Sequence, residues 1–357
     1  RDRTPGGPAL GSALHRLPER ARQGAPMTAI DIDDLVEIDA IRAAADRLRG
    51  VVIRTPVVPF DPPPDRLYVK AENLQPIGAF KIRGAYNAIA SLDDRERARG
   101  VITYSSGNHA QGVARAARLL GIRAVVVMPD DAPPIKRDRV ARDGAEIVVV
   151  GPASDERQAR AEALAAERGL AIIPPFDDDR IVAGQGTIGL EIVEDLPSVE
   201  VVVVPVGGGG LASGVATAVK ALRPDVRVIG VEPELAADAK ASLEDGHIVR
   251  WEAADVSRTI ADGTRTQAIG PRTFAHMRAH LDAIVTVSEA EIAAAVRLAA
   301  EHARLVLEPS GALPIAGLVF HAEEVRAGLA GDAVAVASGG NVDPVAFRGY
   351  LETPLPD

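Results

Sequence analysis

Between Val101 and Ile173, short apolar runs alternate with stretches of helical periodicity, and this alternation constrains the fold more than any other feature. Residues 101–104, 124–128, 146–150 and 171–173 read as strands. Residues 110–120, 134–142 and 155–168 read as helices, followed by Gly121, Gly144 and Gly169. Apolar strand cores separated by helices belong to a parallel sheet covered on both faces. The pattern returns on a larger scale. Residues 201–204, 226–231, 284–286 and 333–337 read as strands, with helices over 211–222, 289–303 and 312–320 and a polar stretch over 232–270. The fold class is α/β, with two parallel-sheet, three-layer domains.

Earlier in the chain, Leu35, Ile38, Ile41, Ala45 and Leu48 share one helical face, with Asp33 or Asp34 as cap and Gly50 at the end. Residues 67–71 read as a strand and 84–97 as a helix. The spacing predicts a small domain over residues 100–177, inserted into a larger one formed by 27–99 and 178–350. Residues 1–26 are rich in Arg, Pro and Gly, lack periodicity and precede the first methionine, Met27. They read as a disordered arm or a start-site artefact.

Composition excludes several classes of function. The net charge of −10 leaves no basic footprint for nucleic acid or an anionic membrane. The absence of cysteine removes disulfides, thiolate metal sites and a cysteine nucleophile. No apolar run approaches the roughly 18 residues of a spanning helix. A soluble, cytoplasmic protein is expected.

Five stretches carry chemistry. In Gly78-Ala79-Phe80-Lys81-Ile82-Arg83-Gly84-Ala85, Lys81 lies between two apolar residues. Apolar surroundings lower an ammonium pKa, and a neutral amine can act as nucleophile or base. On the octapeptide alone, a helix start with a snorkelling lysine is the favoured reading, and the rest of the chain reverses it. Gly207-Gly208-Gly209-Gly210 joins a valine strand to a helix. Its amides and the helix N-terminus suit a phosphate. Gly207, Gly209 and Ala212, with Glu232 ending the next strand, also fit a weak dinucleotide fingerprint, the mark of an oxidoreductase. Ser105-Ser106-Gly107-Asn108-His109 opens a helix and suits a carboxylate or phenolate oxygen, or a plain cap. Ser338-Gly339-Gly340-Asn341 follows the last strand, and in Glu308-Pro309-Ser310-Gly311-Ala312 the serine reads as a helix cap. An amine, a phosphate cradle and polar strand ends together describe a pyridoxal phosphate site, whereas a dinucleotide enzyme leaves Lys81 and the serine loops unexplained.

From about Thr55 to Asp343 these stretches, with Thr259-Ile260-Ala261-Asp262-Gly263, resemble in kind and order the fold-type II pyridoxal phosphate enzymes. That is the tryptophan synthase β-like architecture, and the branch resembled is that of the serine/threonine dehydratases and serine racemases. The resemblance implies that Lys81 carries pyridoxal 5'-phosphate as an imine and is the base at the substrate α carbon. It implies that Gly207, Gly208, Gly209 and Gly210 bind the phosphate, Asn108 the ring hydroxyl and Ser338 the pyridine nitrogen. Ser106 would serve the opposite face of the substrate, and Ser105, Ser106, Gly107, Asn108 and His109 would hold its carboxylate. A serine at the ring nitrogen does not favour ring protonation, which suits early loss of a β-hydroxyl.

The implied reaction converts L-threonine or L-serine to a 2-oxo acid and ammonia. Serine racemisation and 3-hydroxyaspartate elimination are the alternatives. The partner is thus a small β-hydroxy amino acid, and a homo-oligomer, dimer or tetramer, is expected. Two features bear on the branch. Members commonly carry serine where Ala79 stands, so one hydroxyl near the cofactor is lost. Little chain follows Asp343, which resembles the short catabolic dehydratases without a regulatory domain. Lastly, Glu232, Ala236 and Asp238 offer two carboxylates and a carbonyl, which read either as a solvated acidic turn or as a site for Mg2+, Mn2+ or Ca2+. The spacing resembles the metal site of serine racemases.

Overall fold

The computed structural model describes residues 34–61, 66–105, 107–130, 132, 134–151 and 154–356. The arm over 1–26, the Asp33 cap and Ser106 lie outside the described residues.

The chain opens with α1 (Ile38–Leu48), β1 (Val57–Pro59) and β2 (Leu67–Lys70), and continues with α2 (Lys81–Ala90) and α3 (Asp94–Arg99). Next come β3 (Val101–Tyr104), α4 (Asn108–Leu120), β4 (Ala124–Pro129), α5 (Pro134–Arg142), β5 (Glu146–Val150), α6 (Ser154–Arg168) and β6 (Ala171–Ile172). The return runs through α7 (Asp179–Asp195), β7 (Val199–Pro205), α8 (Gly210–Leu222), β8 (Arg227–Pro233), α9 (Asp238–Asp245), α10 (Ala253–Val256) and α11 (Pro271–His280). It ends with β9 (Ala283–Val287), α12 (Glu289–Leu298), α13 (Pro309–Phe320), α14 (Ala322–Arg326), β10 (Asp332–Val336) and α15 (Pro344–Leu351).

The strands form two sheets, one in the order β1-β2-β10-β7-β8-β9 and one in the order β5-β4-β3-β6. Among the described residues every ladder is parallel except that of β1 with β2. The exception is an edge strand, where the missing N–H of Pro59 is tolerated. The valine run of β7 explains the larger sheet. Val201 and Val203 pack with Ile292, Val296 and Leu313 of α12 and α13. Val202 and Val204 pack with Ile188 of α7 and with Leu211 and Val215 of α8. Successive side chains of a strand face opposite sides, so only a run apolar at every position can serve both layers. Each valine so buried contributes roughly 1.5–3 kcal/mol.

Tertiary contacts moved several boundaries. The first helix begins at Ile38 rather than near Asp34, and the Val36 N–H before it is held by His276 Nε2 at 2.9 Å. The helix predicted over 84–97 begins at Lys81 and stops at Ala90, and α3 restarts behind a capping box of Asp93 and Glu96. The polar stretch after β8 holds α9 and α10. No element was predicted where α7 runs for 17 residues. It is buried almost all round, so it has no polar face to show a period. A Cβ at Gly184 would lie 2.6 Å from the Gly84 Cα, and one at Gly189 would lie 2.8 Å from the Val215 carbonyl. These close approaches lock α7 onto α2 and α8. On its other side α2 packs Ile82, Ala85 and Ile89 against Val113 and Ala117 of α4.

Candidate active site

The lysine stretch is placed by pairing with a segment far along the chain. Gly78 turns at φ 74°, and a Cβ there would lie 2.4 Å from Asn341 Oδ1. Ala79 bridges Gly339, and the Phe80 N–H donates to the Ser338 carbonyl at 3.0 Å. Lys81 therefore starts α2 directly beside the loop that follows β10. Its Nζ donates to the Pro175 carbonyl at 2.7 Å and lies 5.1 Å from the Phe80 ring centroid. Among the described residues no carboxylate forms an ion pair with it, and burial lowers its pKa to about 8. Arg83, two residues on, is fully buried and has the opposite environment. It makes double hydrogen bonds to Glu72, at 2.8 Å each, and to Glu191, at 2.7 and 2.9 Å.

Lys81 opens into a cavity of about 320 Å³ at the carboxyl ends of β3, β7 and β10. Open α/β sheets bind ligands at this position. The structure brings Ser105, Gly107, Asn108, His109, Gly207 to Gly210 and Ser338 together in its wall. The wall also carries Lys136, Asp262, Arg157 and Phe176, which the sequence reading left without a role. Lys136 Nζ meets Asp262 Oδ2 at 2.7 Å. Glu308 and Asp262 belonged to stretches singled out in the sequence, but nothing local showed that their side chains turn inward.

The glycine loop lines the cavity and leaves no room for side chains of its own. A Cβ at Gly208 would lie 2.1 Å from the Phe176 ring, and Gly209 has φ 87°. The first N–H groups of α8 lack intrahelical partners, and the helix dipole adds positive potential there. The dinucleotide reading of the same glycines fails at Glu232. That carboxylate is buried and accepts N–H bonds from Ala239 and Lys240 at 3.1 and 2.8 Å, so it cannot reach a ribose.

In the serine loop, Ser105 Oγ accepts the Gly107 N–H at 3.2 Å. Asn108, the first residue of α4, donates through Nδ2 to Glu308 at 2.6 Å and accepts at Oδ1 from Asn341 at 2.8 Å. His109 is buried with Nε2 3.0 Å from the Ile173 carbonyl, and burial, followed by the charge of Lys81, lowers its pKa to about 3. The Ser338 side chain is buried in the cavity wall. Ser310 does not cap α13, since its Oγ accepts the Gly263 N–H at 2.8 Å. Burial, reinforced by Asp262, raises the Glu308 pKa to about 7. A half-buried amine with a lowered pKa, an amide cradle and polar side chains at strand ends fit pyridoxal phosphate.

Glu232 and Asp238 are both fully buried, which removes the solvated acidic turn as a reading. Neither carboxylate oxygen of Asp238 has a hydrogen-bond partner among the described residues, although Thr266 and Ile269 lie close by. Burial raises the Asp238 pKa to about 7, and burial together with Asp238 raises that of Glu232. Among the described residues no cluster of three or more His, Cys, Asp or Glu side chains forms a metal centre, so a cation here needs the Ala236 carbonyl and water as well.

Comparison with known proteins agrees with this geometry. The chain is 43% identical over 305 residues to an L-threo-3-hydroxyaspartate ammonia-lyase of Saccharomyces cerevisiae, covering 84% of this chain and 91% of that protein. It is 44% identical over 314 residues to an L-threonine ammonia-lyase of Thermotoga maritima, covering 87% and 76%. The structure of the processed form of threonine deaminase isoform 2 from Solanum lycopersicum superposes with a TM-score of 0.83 at 38% identity, covering 91% of this chain and 95% of that one. The profile of the pyridoxal-phosphate dependent enzymes matches residues 48–339, and the chain belongs to that family.

Proposed function

We propose that the protein is an ammonia-lyase that eliminates the β-hydroxyl of L-threonine or L-serine and yields a 2-oxo acid and ammonia. The carrying observation is Lys81, a half-buried amine at the cavity wall with no acidic partner among the described residues and a pKa lowered to about 8. Bound pyridoxal phosphate supplies the electron sink that makes the α proton of an amino acid removable. Lys81 would hold the cofactor through its amine, and its free amine would take the α proton of the substrate. Gly207 to Gly210 and the start of α8 would hold the phosphate. Asn108 would serve the ring hydroxyl oxygen and Ser338 the ring nitrogen. Backbone amides of the loop from Ser105 to His109 orient the substrate carboxylate, and Phe176 shields the phosphate end from water. Departure of the β-hydroxyl as water leaves an unsaturated amine, which hydrolyses in solution. Glu232, Asp238 and the Ala236 carbonyl would hold a divalent cation, which would brace the segment after β8. The working assembly is a homo-oligomer.

A specific observation favours a second substrate. Lys136, Arg157, Arg250 and Arg265 line the cavity, and this concentration of cations in a chain of net charge −10 suits the second carboxylate of 3-hydroxyaspartate.

Borohydride reduction followed by peptide mapping tests the cofactor, and should fix it to Lys81. A label on Lys70 or Lys136 overturns the assignment. Product analysis with threonine, serine and 3-hydroxyaspartate, scoring oxo acid and enantiomer together, tests the reaction. Enantiomer exchange without oxo acid overturns the lyase reading in favour of a racemase.

A further inference from the structure

We propose that Glu308 is a positioning residue that fixes the side-chain amide of Asn108 for its contact with the cofactor. The inference rests on the reading above that Asn108 faces the ring oxygen.

Glu308 stands at the N-cap of α13, where a carboxylate commonly accepts an N–H of its own helix, yet its side chain makes no such bond. It accepts instead from Asn108 Nδ2 at 2.6 Å, 200 residues away in sequence. The backbone makes way for this contact, since a Cβ at Gly339 would lie 2.2 Å from Glu308 Oε1. Asn341 holds the other end of the amide, donating through Nδ2 to Asn108 Oδ1 at 2.8 Å and to the Ile77 carbonyl at 2.9 Å. The Asn341 Oδ1 in turn accepts from Arg139 of α5. Both ends of the Asn108 amide are thus held, and its orientation follows from the donors and acceptors around it. An amide nitrogen carries two hydrogens. With one given to Glu308, the other serves an oxygen in the cavity.

A charged acceptor makes this bond stronger than a neutral one. The charge of Glu308 is set by Asp262, Lys136, Asn108 and the Asn341 backbone. Lys81 and His109 share the same cavity wall, and Arg139 acts through Asn341. Burial among these groups places the Glu308 pKa at about 7, so the hold on Asn108 strengthens as the pH rises through neutrality.

The test uses the full-length holoenzyme and reads the visible absorbance and circular dichroism of bound pyridoxal phosphate from acid to alkaline pH, with the cofactor Kd. Wild type should show a spectral transition near neutral pH. Glu308→Gln keeps an acceptor without the charge, so it should retain a bound-cofactor band and lose the transition. Glu308→Ala should raise the Kd on the order of tenfold, the cost of about one hydrogen bond, and change the band at every pH. A transition in Glu308→Gln like that of wild type, or a wild-type band and Kd in Glu308→Ala, overturns the proposal. Should Glu308→Ala not fold, the Gln variant decides. Borohydride labelling of Lys81 in wild type is independent of Glu308. Its failure would count against the cofactor reading and not against this inference alone.

Discussion

Lys81 and Arg83 lie two residues apart and end in opposite states. Lys81 is half-buried at the cavity wall and given only the Pro175 carbonyl, and desolvation lowers its pKa to about 8. Arg83 is more deeply enclosed, but two carboxylates hold its charge. Burial alone therefore does not decide ionisation, and partners do. His109 gives a measurable case. Its folded pKa, about 3, lies below the unfolded value of about 6.5, so the unfolded chain binds the proton first. The contribution to stability is complete above about pH 6.5 and is lost as the pH falls toward about 3. Urea denaturation from pH 7 to acid should show wild type losing up to about 1.4 kcal/mol per pH unit more than His109→Gln. Parallel pH profiles would refute the shift. At Gly208 the argument is steric. An alanine Cβ would meet the Phe176 ring at 2.1 Å, so Gly208→Ala should raise the pyridoxal phosphate Kd tenfold or more, on the order of 1.4 kcal/mol. Equilibrium dialysis against the free cofactor measures it.

Among the elements, α2 shows how a helix is held to a chemical task. Removing one member of a buried pair such as Arg83 and Glu72 costs roughly 3–5 kcal/mol, so the start of α2 is pinned from beneath while Lys81 faces the cavity. The segment from β8 to α9 holds two buried carboxylates and no cationic side chain bonded to them among the described residues. Their folded pKa values are raised, so without a cation the folded state holds protons that the unfolded chain releases. Stability should then fall as the pH rises from about 4, the ordinary carboxylate value, to about 7. A bound divalent cation removes that loss. Chelated protein should melt at lower temperature at pH 8 than at pH 6, and Mg2+ or Mn2+ should restore the pH 8 value. If chelator leaves the pH 8 melting temperature unchanged and elemental analysis finds no cation, the site does not exist. Asp238→Ala supplies the control, insensitive to chelator.

In the whole molecule, the cavity lies between two sheets, and the ion pair of Lys136 with Asp262 spans it. The pair is partly exposed, at 20% and 41%, so a double-mutant cycle of Lys136→Met and Asp262→Asn should give a coupling of about 0.2–1 kcal/mol. A coupling well above that range would mean that the pair is shielded in solution. The sequence determined the α/β class, since continuous valine runs at β7 and alternating helices admit a parallel sheet covered on both faces. It also marked residues that meet in the cavity wall, because Lys81, the glycine loop and the serine and asparagine strand ends are local patterns with local physical reasons. It did not reveal α7, whose surface is apolar on nearly every side and so lacks a period. Nor did it reveal Glu308, which looks like an ordinary helix start and becomes part of the cavity wall only because the loop after β10 carries Gly339 beside it. Periodicity and motif are properties of neighbours in sequence. Burial, pKa and the pairing of residues 200 positions apart depend on which surfaces meet, and only the tertiary structure decided those.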